Sequence, residues 1–250
     1  MTGSAHGTND PSRRLRGAAR PVIAVIALLL CALLVGLGSW QVQRLRWKLA
    51  LIERVEQRVS APATAAPGPE RWPQVNAADD EYRHVQVTGH WLDEAEALVQ
   101  ASTTLGAGFW VLTPLRQADG SVVLINRGFV PPERRDPAAH SAGGPAITTV
   151  TGLLRITEPG GGFLRSNDPS ANRWYARDVQ AIAAARGLPK VAPYFIDAEA
   201  GPRSDAAPVG GLTVISFHNN HLVYAITWYT LALMTAWAAW RVMREDRSEQ

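Results

Sequence analysis

Two stretches without a single Lys, Arg, Asp or Glu, residues 21–40 and 222–240, constrain this chain more than any other feature. Each comes close to the roughly 20 apolar residues that cross the hydrocarbon of a bilayer. Charge inside such a stretch is what insertion penalises most, so its absence at both ends predicts two transmembrane helices. A basic stretch, SRRLRGAAR, precedes the first. A cleaved signal peptide would have a shorter apolar core followed at once by small residues at a cleavage site. Here the chain runs on into GSWQVQRLRWKLALIERVEQR, with Leu45, Leu49, Ile52, Val55 and Val59 near helical spacing. The first span is therefore expected to be an uncleaved anchor that continues as helix beyond the membrane.

The flanks set an expected orientation. Arg13, Arg14, Arg16 and Arg20 precede the first span, Arg241, Arg244 and Arg247 follow the second, and the approach GGLTVISFHNN carries no cation. Arg44, Arg46 and Lys48 argue the other way, but two spans force both ends to one side, and the asymmetry at the second helix prevails. The expected order is a cytoplasmic tail (1–20), a first transmembrane helix (21–40), a helical extension (41–59), a linker (60–80), an extracytoplasmic domain (81–217), a second transmembrane helix with its cap (218–240) and a cytoplasmic tail (241–250).

Composition removes several functions. The one cysteine, Cys31, lies within the first span, so the external segment has no disulfide, no thiolate metal site and no c-type haem attachment motif. It also lacks the soft ligands that copper delivery requires. The pI near 9.3 reflects Arg beside the membrane segments, where anionic lipid is the natural partner, and does not point to nucleic acid.

The external segment reads as short β-rich pieces parted by turns: YRHVQVTGHW, ALVQAS, FWVLTPL, VVLINRGFV, TTVTGLLRI, YFIDA and GLTVISF. Asp119 and Gly120 supply a hairpin turn. One helix, starting near Asp178 and stopping at Gly187, interrupts the strands. PAAHSAGGP and PGGGF read as loops. The fold class expected is a membrane protein with two terminal transmembrane helices flanking a mainly antiparallel β (α+β) extracytoplasmic domain.

No nucleophile elbow, zinc-protease motif, P-loop or dinucleotide fingerprint occurs, so an enzyme is not expected. Asp79, Asp80 and Glu81 read as a solvated turn. Asn126, Arg127 and Gly128 close a strand with a polar triplet, either a structural turn with Arg127 in an ion pair or a functional surface. The helix ends are richer. His221, Tyr224 and Trp228 are spaced i, i+3 and i+7, on one face at the mouth of the second span. Gln41, Arg44 and Lys48 repeat that spacing after the first, beside Trp40 and Trp47. Two readings stay open. One is an interfacial belt, with Asn219 and Asn220 capping the helix. The other is a site for a flat amphipathic ligand such as haem: His221 as axial ligand to the iron, Tyr224 and Trp228 beside the macrocycle, Arg44 or Lys48 on the propionates, and His218 as a second candidate ligand.

GSWQVQRLRWK, YRHVQVTGHW, GFWVLTPL, VVLINRGFVP and NNHLVYAITWYTLAL, in this order and between two terminal spans, resemble the surfeit-locus family of cytochrome c oxidase assembly factors, from about residue 21 to 240. The resemblance implies a non-enzymatic membrane protein that supports maturation of the haem-copper oxidase catalytic subunit by transiently binding haem a and assisting its delivery. Haem a synthase is a further candidate partner. The family's haem-linked histidine opens the second span in an N-H-L motif, which matches His221. Phe129 stands where a tryptophan is frequent. The N-terminal tail, with Asp10 and four Arg, is unlike a mitochondrial presequence, so a bacterial inner membrane with a periplasmic central domain is expected over the mitochondrial inner membrane. The alternative function is a scaffold that holds the oxidase subunit without touching haem.

Overall fold

The computed structural model describes residues 11–136, 146–162, 165–201, 208–213 and 219–244. His218, the whole PAAHSAGGP loop and the second half of GLTVISF lie outside them, and residues 211–213 are not strand. The chain divides into two units, one of Met1–Ile52 with Ser216–Gln250, the other of Glu53–Ile215.

The first unit is a pair of helices. Helix α1 runs Pro11–Ser60 without a break, ten residues ahead of the apolar run and through the expected extension. Helix α4 covers His221–Arg244. From Pro21 onward α1 is long and apolar enough to cross a membrane, and so is α4. Their mutual contact combines small residues with Leu34 and Tyr229. Ala225 and Ala232 are buried on α4 and Leu34 on α1. A Cβ at Gly38 would lie 2.8 Å from the Tyr229 ring. Close backbone approach and polar contacts link the pair. The Tyr229 hydroxyl lies 3.1 Å from Ser39 Oγ, and Cys31 Sγ donates to Ala232 O at 3.5 Å.

The second unit is built on one seven-stranded sheet. Its strands are β1 (Thr64–Ala65), β2 (His84–Trp91), β3 (Ala97–Thr103), β4 (Gly106–Arg116), β5 (Val122–Val130), β6 (Thr148–Ile156) and β9 (Val191–Ala198); β7 (Gly161–Gly162) and β8 (Arg165–Ser166) form a separate ribbon. The order is β1-β2-β6-β9-β5-β4-β3, and β2 also pairs with β4 at His90 and Trp91. That pairing closes β2, β6, β9, β5 and β4 into a ring. Most pairs are antiparallel, but β9 lies parallel to β5 and β1 parallel to β2.

Alternation along the strands separates two cores. Val85, Leu115, Ile125, Leu154, Tyr194 and Ile196 come from all five ring strands and form one cluster. Leu124 and Phe195, their neighbours in sequence, point the other way and pack with Val179 and Ile182 of α3 (Val179–Ala185). Strands covered on both faces must be apolar throughout, which accounts for the unbroken run Val122–Ile125 in β5. The Asp119–Gly120 turn joins β4 to β5, with Gly120 at φ +78°. Asp178 caps α3 by accepting from Ala181 N, and Gly187, at φ +60°, ends the turn that follows.

Residues 60–80 are pinned to this unit. Trp72 Nε1 and Tyr194 Oη both donate to Pro67 O, at 3.0 and 2.7 Å. A short helix, α2 (Ala77–Asp80), is capped by Asn76, whose side chain accepts from Asp79 N. The acidic cluster is therefore not a solvated turn: Asp80 is buried, accepting from Asn76 N and from Arg83 Nη1 at 2.7 Å. Burial is tolerated because the charge is paired and hydrogen-bonded.

Candidate functional site

In the helical unit the site is built at the start of α4. Asn219 Oδ1 accepts from His221 N at 3.4 Å, and Asn220 O accepts from Tyr224 N at 3.2 Å. The Asn219 side chain thus takes up an amide that a helix start leaves without an intrahelical partner, while the Asn220 carbonyl accepts the first backbone bond of the helix itself. This fixes His221 as the first helical residue, and its ring leans on α1. His221 Nδ1 lies 2.7 Å from Gln41 Oε1, a contact between residues 180 positions apart in sequence. Among the described residues no hydrogen bond engages Nε2.

The other expected site residues fall at different places around the two helices. Trp228 is half-buried on the His221 face, together with Ala225 and Ala232. Tyr224 is 53% exposed. Helical geometry accounts for the difference, because i+7 lags its starting residue by about 20° and i+3 by about 60°. On α1, Gln41 and Lys48 are half-buried, whereas Arg44 is exposed and held between Trp40 and Trp47, its guanidinium carbon 5.7 and 5.8 Å from their ring centroids. Spacing alone put Gln41 in line with Arg44 and Lys48, and only the fold reveals it as the residue that meets His221.

The residues present fit an iron porphyrin. Imidazole is a usual axial ligand, and an accepting oxygen on its second nitrogen is the support that ligating histidines commonly have. Trp228 supplies an aromatic surface, and Arg44 supplies a cation beside the polar end of the helix pair.

In the β unit, Asn126, Arg127 and Gly128 do not end a strand, since β5 continues to Val130. Each has structural work. Arg127 lies over Trp91 at 5.2 Å and within 3.8 Å of Asp93 and 4.0 Å of Glu96. Burial chiefly pushes the Glu96 carboxyl up to about 7, while the Thr113 hydroxyl and Arg127 pull it down. Gly128 adopts φ +130°, and a Cβ there would meet Val209 O at 2.2 Å. Asn126 donates to Asp197 Oδ1 at 2.7 Å.

Asp197 is the centre of a network that its sequence context, YFIDA, did not reveal. Besides Asn126, Arg177 Nη1 donates to Oδ1 at 3.2 Å, and Arg155 Nη1 and Thr213 Oγ1 donate to Oδ2 at 2.9 and 3.0 Å. Arg177 also forms a fork to Glu158, at 2.5 and 3.1 Å, and both guanidiniums stack on Phe195. Asp197 pulls Arg155 upward against the effect of burial. A cavity of about 410 Å³ opens beside these groups, lined also by Trp110 and Thr103. Its two arginines are spent on Asp197, Glu158 and Glu81. Two guanidiniums and three carboxylates thus partner one another, and a satisfied network of this kind rigidifies a fold.

The SURF1 family model matches residues 28–233. Surfeit locus protein 1 of Mus musculus is 34% identical over 227 residues, covering 84% of this chain and 72% of its own. Surfeit locus protein 1 of Homo sapiens is 34% identical over 232 residues, covering 85% and 74%. A SURF1-like protein of Monosiga brevicollis is 37% identical over 226 residues, covering 84% and 82%. The match takes in the Gln41 and His221 helix ends and the whole β unit between them, and the chain belongs to the SURF1 family.

Proposed function

We propose that this chain is a non-enzymatic, membrane-anchored assembly factor for haem-copper (cytochrome c) oxidase, which binds haem a at His221 and assists its delivery to the catalytic subunit. Family membership supports the assembly role. The observation that carries the haem part is the placing of His221: first residue of an apolar helix, half-buried against α1, with Trp228 on the same face. Haem is cargo here, so one imidazole holds it firmly enough to dock and loosely enough to release. Arg44 and Lys48, one and two turns beyond Gln41, are the cations assigned to the propionates, and Tyr224 lies at the edge of the aromatic surface.

Membrane insertion of α1 and α4 has physical support in the side chains they present outward. Leu28 is 70% exposed and Leu233 72%, in company with Val25, Ile26, Leu33 and Met234. Each such side chain would lose about 1.5–3 kcal/mol of burial in water and none in lipid. Arg241 and Arg244 in the last turn of α4, stacked on Trp237 and Trp240, suit a cytoplasmic boundary. The membrane proposed is the bacterial inner membrane, with the β unit in the periplasm.

The test is the visible spectrum of the detergent-purified protein from cells able to make haem a, wild type beside His221→Ala. A Soret band in the first and none in the second, at equal protein yield, supports haem handling. No band in either leaves the scaffold function, in which the His221 contact with Gln41 is packing alone. A band in both moves the ligand elsewhere, with His218 next to be tested.

A further inference from the structure

The contact between His221 and Gln41 says which nitrogen of the imidazole is available. A neutral imidazole carries one N–H, and the partner of each nitrogen decides where it sits. Gln41 presents its carbonyl oxygen to Nδ1 at 2.7 Å. A carbonyl oxygen only accepts, so Nδ1 holds the proton and donates it. The lone pair then sits on Nε2, the nitrogen without a hydrogen bond among the described residues.

We propose that Gln41 is a positioning residue for the haem ligand: it fixes the Nδ1–H tautomer of His221 and presents Nε2 to the iron. This rests on the haem reading of His221 given above. The fold prepares the contact by packing α1 on α4 through Gly38, Ala225 and Ala232, which brings Gln41 within reach of the ring. A second consequence concerns strength. An amide oxygen is a weaker acceptor than a carboxylate, so it orients the ring while adding less to its basicity, which suits a carrier that must release its cargo.

The experiment titrates haem into four detergent-purified full-length proteins, wild type, His221→Ala, Gln41→Leu and Gln41→Glu, following the Soret band, and records the midpoint potential of each haem complex. Imidazole ¹⁵N shifts of the haem-free wild type and Gln41→Leu read the tautomer directly. Gln41→Leu is expected to weaken haem binding 10–100-fold and to lose the single Nδ1–H signature. Gln41→Glu, which restores an acceptor, is expected to recover binding and to lower the midpoint potential below that of wild type. Wild-type affinity in Gln41→Leu, with binding lost in His221→Ala, overturns the positioning role and leaves the haem reading intact. Wild-type affinity in His221→Ala overturns both. An Nε2–H tautomer in the haem-free wild type overturns the positioning role whatever the affinities.

Discussion

Asp197→Asn removes one negative charge from the middle of the β unit and changes almost nothing in volume. The carboxylate is 4% exposed and accepts four hydrogen bonds, from Asn126, Arg177, Arg155 and Thr213. An amide in its place turns one acceptor into a donor, and three of the four partners are themselves N–H donors, so some pair must face donor to donor. Breaking a buried ion pair costs about 3–5 kcal/mol when the surviving charge is left uncompensated. Here both survivors keep partners, Arg177 its fork to Glu158 and Arg155 its contacts with Glu81 and Glu158. The expected loss is therefore near the lower bound, about 3 kcal/mol, against the roughly 5–15 kcal/mol of a whole domain. Urea unfolding of the intact protein in detergent, followed by near-ultraviolet circular dichroism, reads the loss from the shift in midpoint at constant slope. Arg177→Met alone and combined with Asp197→Asn completes a double-mutant cycle. A coupling above about 1 kcal/mol is expected, because the two side chains share a bond. A single-variant loss below about 1 kcal/mol, or strict additivity, would refute the idea that Asp197 organises this part of the sheet.

Three further outcomes are expected. Glu96 titrates near 7 when folded and near 4.5 when unfolded, so between these values the folded chain holds a proton that the unfolded chain has lost. Stability therefore falls as pH rises through that window, by on the order of 3 kcal/mol, and Glu96→Gln should flatten this part of the profile in urea titrations from pH 4.5 to 8. Gly128→Ala places a Cβ 2.2 Å from the Val209 carbonyl at φ +130°, where backbone rather than a side chain must yield. A loss above about 3 kcal/mol, or no folded β unit by circular dichroism, should result. Gly38→Val forces the Tyr229 ring off α1, so oxidative cross-linking of Cys31 to an introduced Ala232→Cys, efficient in the parent, should fall severalfold. An undiminished yield would show that the helices do not pack through Gly38.

What local sequence determined is what neighbours along a chain can decide. The two charge-free runs set the helices α1 and α4, Asp119 and Gly120 set the β4–β5 hairpin, and Asp178 with Gly187 set the ends of α3, each through a turn, a cap or a periodicity that needs no distant partner. The i, i+3, i+7 spacing likewise put His221, Tyr224 and Trp228 along one side of a helix, although it could not tell that Trp228 faces inward while Tyr224 is exposed. The tertiary structure decided what depends on register between remote segments. Parallel pairing of β9 with β5 and closure of β2 on β4 follow from which apolar faces can be buried together, a question no single strand poses by itself. Asp197 carried no local signal because its partners lie in other strands, in the segment before α3 and at Thr213, and Asp80 reads as solvated in sequence although Arg83 and Asn76 enclose it. Gln41 met His221 only once the two helices were packed, since a hydrogen bond across 180 residues leaves no periodicity for local sequence to show.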